Sequence, residues 1–159
     1  MTPEDQSASQ RTAAALARLK PVAKNVSTAA DALAAPVSSI DGELKRMHIA
    51  FEAWVTYKTE SYEHLYTNWD LGYSRIAGRW GLALRVVRGD VSDPEDTRVE
   101  NWHFNESPLY LRHRAVDKLP DLLEALAKTG EKVANKLTSA AAVATQVAET
   151  VAPAQKARK

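Results

Sequence analysis

The sequence predicts an α+β protein, mostly helical, in which long alanine-rich N- and C-terminal helices flank a small antiparallel β-hairpin of two or three strands. Three observations predict it. The bulky residues Phe51, Trp54, Trp69, Trp80, Trp102 and Phe104 all fall between residues 51 and 104, so only the middle of the chain can bury large apolar area. On either side, apolar residues recur at alternating spacings of three and four, the pattern of a helix with one buried stripe. Between them the period drops to two, as in a half-buried strand.

The N-terminal helix starts at about residue 3. Thr2-Pro3-Glu4-Asp5 offers a capping hydroxyl, a proline suited to the first turn, and two acids at the positive end of the helix dipole. The stripe reads Leu16, Leu19, Ala23, Val26, Ala30, Leu33, Val37, Ile40, Leu44, Met47, Phe51. Pro21 predicts a kink or a restart and Pro36 a stop, because proline cannot donate its N–H and crowds the preceding turn. Ser38 with Asp41 then resembles a capping box. The domains expected are therefore an arm over 1–36, an α+β head over 37–128 and a second arm over 129–159. Within the head the elements are a helix over 38–68, a hairpin over 79–104 and a helix over 107–128.

In the hairpin, Trp80, Leu82, Leu84 and Val86 alternate, and Glu100, Trp102 and Phe104 alternate after a polar connection that opens at Gly89. A lone hairpin is marginal in water, so Tyr73 to Ala77 is a candidate third strand. Ser107-Pro108 repeats the cap-plus-proline signal, and Pro120 should kink or restart the helix that follows. The C-terminal stripe reads Val116, Leu119, Leu123, Leu126, Gly130, Val133, Leu137, Ala140, Ala144, Val147, Val151. A helix is expected to about Val151, followed by a frayed basic end.

A formal charge of +1 gives no global field toward nucleic acid or acidic lipid. Without cysteine there are no disulfides, thiolate nucleophiles or zinc–thiolate sites. The polar, acidic N-terminus is unlike a signal peptide. No uncharged apolar run approaches the roughly 20 residues of a membrane span. The expected protein has no transmembrane segment and is cytoplasmic.

Candidate chemistry is sparse. His103, Glu106 and His113 could be imagined around a metal, and Asp90, Asp93, Glu95 and Asp96 around a hard cation. Neither set has a recognised ligand spacing, so no metal and no cofactor is expected. Phosphate loops, dinucleotide fingerprints and nucleophile elbows are absent, so no catalytic residue is assigned. Tyr62, Tyr66, Trp69 and Tyr73 fall at helical spacing and form the candidate partner or ligand surface. Arg75, Arg79, Arg85 and Arg88, interleaved with Trp80, are the candidate nucleic-acid contacts. Acids follow them closely, and Arg85 could pair across the strands with one of these.

The alanine, valine, threonine and lysine mix of roughly the last thirty residues resembles, in composition alone, proteins that coat apolar granules or membranes. The expected function is a non-enzymatic interaction or oligomerisation protein, with coiled-coil-like arms, an aromatic head and a protein partner or second copy. Two alternatives are a peripheral membrane- or granule-surface-binding protein and a nucleic-acid-binding protein using the arginine-bearing hairpin.

Overall fold

The computed structural model describes the backbone of residues 3–156 and the side chains of residues 7–152. The cap expected from Thr2 and the last three residues of the basic end lie outside the described residues. The chain divides into two units, Met1–Met47 and His48–Lys159.

The first unit is one helix, α1, Pro3–Arg46, with Pro21 and Pro36 inside it. The predicted stop at Pro36 and new start at Ser38 are therefore corrected: the helix runs through both prolines, and Ser38 and Asp41 sit within it. The physical reason lies in where the prolines point. Pro21, Pro36 and the residues four before them, Ala17 and Ala32, are all exposed. Each carbonyl that loses its N–H partner faces water rather than a dry interior, so the helix bears the penalty of about 3 kcal/mol per proline without breaking. Lys45 and Arg46 in the last turn favour the negative end of the dipole, and Lys45 pairs with Asp41 at 2.8 Å.

The second unit opens with a four-stranded antiparallel sheet: β1 Ala53–Tyr62, β2 Leu65–Ile76, β3 Arg79–Asp90 and β4 Arg98–His103, in that spatial order. The expected two or three strands become four, and the helix expected over 38–68 ends at Arg46. Trp54, Val55, Thr56, Tyr57 and Thr59 suit a pleated surface. The helical spacing of the downstream aromatics masked that preference. A two-residue connection, Glu63-His64, joins β1 to β2, and Ala77-Gly78 joins β2 to β3. Glu63, Ala77 and Gly78 have φ of 53°, 49° and 78°. Positive φ at both Ala77 and Gly78 is the requirement of a type I′ hairpin turn, whose twist matches the strands. Gly89, expected to start the connection, lies inside β3.

Register assigns the faces. Tyr73 pairs with Leu82, Leu71 with Leu84, Trp69 with Val86, and Leu84 with Trp102, so these side chains share one face. Leu71, Tyr73, Leu82, Leu84 and Val86 are buried. They are covered by α2, Leu109–Ala115, and by the first turns of α3, Leu119–Lys156, through Leu111, Ala115, Leu119, Leu122 and Leu126. Between these helices a 3₁₀ turn, Val116–Lys118, sets the restart expected near Pro120. Leu122, rather than the expected Leu123, takes the buried position. A bulge between Thr56 and Lys58 releases Tyr57 from the ladder, and its hydroxyl donates to the Leu111 carbonyl at 3.2 Å.

Candidate functional site

The arginines of the hairpin are distributed over both faces and both ends of the sheet. Arg75 and Arg88 lie on the helix-covered face, and Arg79 and Arg85 on the other. Arg88 stands opposite Thr67, eight residues of β2 from Arg75, about 26 Å along the strand. Three of the four meet carboxylates: Arg79 with Glu106 at 3.1 Å, Arg85 with Asp70 at 2.7 Å and Arg88 with Glu100 at 3.0 Å. The Nε of Arg75 donates to the Gly78 carbonyl at 3.4 Å.

The four aromatics are also separated. Tyr73 is buried and stacks on Trp80, with ring centroids 5.7 Å apart. Trp69 is half-buried beneath the Lys58 ammonium, 4.5 Å from its ring centroid. Tyr66 lies across Gly89 on the opposite face, and Tyr62 is exposed at the far end of the sheet. Helical spacing predicts one shared surface; strand geometry gives them alternate faces and different depths. Two shallow grooves, of 280 and 380 Å³, meet at Leu65, Tyr66 and Thr67 beside the β1–β2 turn.

The second face of the sheet carries a cluster that no linear pattern announces. The ring of Trp54 lies flat over Gly72, where a Cβ would collide with the indole and stand 2.7 Å from the Ala53 carbonyl oxygen. The Arg85 guanidinium stacks on that ring at 4.1 Å, and its Nε donates to Asp70. The other carboxylate oxygen of Asp70 accepts from the Thr56 hydroxyl at 2.7 Å. Asp70 is 4% exposed, and Trp54 Nε1 is buried without a hydrogen-bond partner. The cross-strand acid expected for Arg85 is thus Asp70. Its guanidinium is engaged on two sides, by charge and by stacking.

The imagined histidine site is occupied by other bonds. The His103 ring lies 3.2 Å from the Ile76 carbonyl, and Glu106 is held by Arg79. Among the described residues no group of three or more His, Asp or Glu side chains could hold a metal ion. In the acidic connection, Asp90 accepts from the N–H and hydroxyl of Ser92. The hydroxyl bond, first, holds its carboxyl below the usual carboxylate value.

The outer half of α3 is uncovered. The stripe that the sheet unit covers at Leu119, Leu122 and Leu126 passes Gly130, where a Cβ would stand 2.9 Å from the Phe51 ring. Val133 is half-buried, and from Ala134 to Ala152 every residue is exposed. The stripe nevertheless continues, with Leu137 65%, Val147 57% and Val151 50% exposed. Thr138, Thr145 and Thr150 donate their hydroxyls back to the carbonyls of Ala134, Ala141 and Gln146, so these hydroxyls are satisfied on the helix itself. From Leu137 to Gln155 the only charged residue is Glu149. In the other unit, α1 shows the same character: Leu16, Leu19, Val22 and Val26 are exposed, and Thr12 and Thr28 back-bond to Ala8 and Lys24.

No family model, curated protein or solved structure matches the chain. Among the described residues no helix is long and apolar enough to cross a membrane.

Proposed function

We propose that this chain is a non-enzymatic interaction protein that associates through its long helices. One observation carries the reading: the apolar stripe of α3 continues for several turns beyond the surface that covers it. A helix of small and apolar residues standing free in water gains little from propensity alone, so its stability calls for an apolar partner along the stripe. The exposed leucines and valines of α1 support the same reading. The four separated aromatics do not provide a single docking surface.

Light scattering of the full chain over a concentration series tests it, beside a version ending at Lys136. Self-association that disappears on truncation, with tryptophan near-ultraviolet dichroism retained, is the expected result. A full chain that stays monomeric, with the same thermal stability as the truncated one, overturns it.

A second reading, attachment to a lipid or granule surface, is favoured by the back-bonded threonines and by the stretch between Lys136 and Lys156, in which Glu149 is the single charge. Alanine supplies little apolar area for such binding, so this reading ranks below the first. Flotation with anionic and neutral vesicles tests it, and protein left in the dense fraction with both argues it away. Nucleic-acid binding through the hairpin ranks lower still, because Arg79, Arg85 and Arg88 already face carboxylates.

A further inference from the structure

We infer that the partner of the α3 stripe is the same stripe of a second copy of this chain, running antiparallel. The inference rests on the association reading and names its occupant.

The sizes along the uncovered stripe are symmetric about Ala142. Outward from that point come Ala140 and Ala144, then Leu137 and Val147, then Val133 and Val151. A two-fold interface brings one surface against itself, so each residue meets its counterpart across the axis. Antiparallel pairing centred on Ala142 sets Ala140 against Ala144, Leu137 against Val147, and Val133 against Val151. Small residues meet at the centre, where backbones approach closest, and bulky ones meet toward the ends. Val143, 60% exposed and beside the stripe, then lies across the axis from its own counterpart.

The position of the sheet decides the direction. Leu122, Leu126 and Gly130 belong to the stripe that continues outward, and the sheet unit already occupies that side of the helix. A parallel partner would bring its own sheet to the same level and the same side, so the two would claim one volume. Antiparallel pairing sends them to opposite ends. It overlaps the helices from Val133 to Val151, the length over which the cover is partial or absent. Opposed helix dipoles favour this direction too. Parallel alignment would also set Lys136, at the edge of the stripe, level with its own counterpart, which antiparallel pairing avoids.

The chain has no cysteine, so a single Lys132→Cys or Val143→Cys substitution gives one spin label per copy of the full chain. The inference expects a dimer by light scattering. Labels at 143 should lie within a few ångströms of the interhelical distance of 8–10 Å. Labels at 132 should be separated by 20 residues of helix, about 30 Å along the axis. Leu137→Asp, at an exposed position, should return the protein to monomer with its tryptophan dichroism unchanged. Labels at 132 as close as those at 143 overturn the antiparallel arrangement. A dimer in which both sites are distant, or which survives Leu137→Asp, places the interface elsewhere and overturns this inference while leaving the association reading standing. A monomer at every concentration overturns both.

Discussion

The guanidinium of Arg85 lies 4.1 Å from the ring of Trp54 while its Nε donates to Asp70 at 2.7 Å. The Arg85 side chain is partly exposed, whereas Asp70 is almost fully buried. Removing the arginine therefore strands a carboxylate that the fold has already taken out of water. Arg85→Ala should lower stability by about 3 kcal/mol, the usual cost of breaking a buried pair from one side. Asp70→Asn with Arg85→Met should recover part of that loss. Urea unfolding of the single and double variants checks both, and a loss near zero for Arg85→Ala would count against the cluster as a stabilising element.

Gly72 is the floor on which the Trp54 indole rests. Gly72→Ala should cost about 2 kcal/mol, within the range of overpacking, because one obstacle to its Cβ is backbone. The same variant should shift Trp54 emission toward longer wavelength. Stability equal to the parent protein would show that the ring can move aside freely.

Ala77 holds a left-handed conformation at φ 49° that alanine adopts at a cost of roughly 1–2 kcal/mol. Ala77→Gly or Ala77→Asn should therefore raise stability by about 1 kcal/mol, the asparagine form giving the favoured Asn-Gly hairpin turn. A lower thermal midpoint for both variants would refute this account of the turn.

The Asp90 carboxyl is held below its ordinary value of 3.8, chiefly by the Ser92 hydroxyl. A group lowered in the folded state contributes stability above the unfolded value, and that contribution is lost as pH falls through the folded one. Acid unfolding below about pH 4 should therefore be less steep in Asp90→Asn than in the parent protein. Identical acid limbs would exclude Asp90 as a contributor.

Tyr57 is displaced in the other direction. Burial, then the nearby Asp70 and Tyr110, push its hydroxyl up to about 12 from 10.0. The folded state keeps this proton longer than the unfolded chain, so stability should fall as pH rises from 10 toward 12. Tyr57→Phe should remove that slope, and should cost about 1 kcal/mol at neutral pH through loss of the bond to Leu111. Ultraviolet titration in which all tyrosines ionise together near 10 would contradict it.

The terminal helices and the β3–β4 hairpin were legible because their signals are local. Trp80 to Val86 alternate, a polar connection follows, and Pro120 marks a helix start. The first hairpin was not legible, for two reasons. Its turn, Glu63-His64, carries no Gly, Pro, Asn or Asp, and Tyr62, Tyr66, Trp69 and Tyr73 match helical spacing by coincidence. Pro36 misled because sequence shows the lost N–H but not whether the orphaned carbonyl is hydrated. The Trp54–Arg85–Asp70 cluster joins three strands, so only register assembles it. Two facts hinted at it. Arg85 sits inside an apolar alternation, and Asp70 sits within a strongly aromatic run.

Because β1 to β4 pair only with their neighbours along the chain, the sheet forms from contacts of short sequence separation, a topology that favours rapid folding. During synthesis all four strands leave the ribosome before α3 does. The first turns of that helix then find their docking face already built, and the sticky outer turns follow only after those first turns have been released.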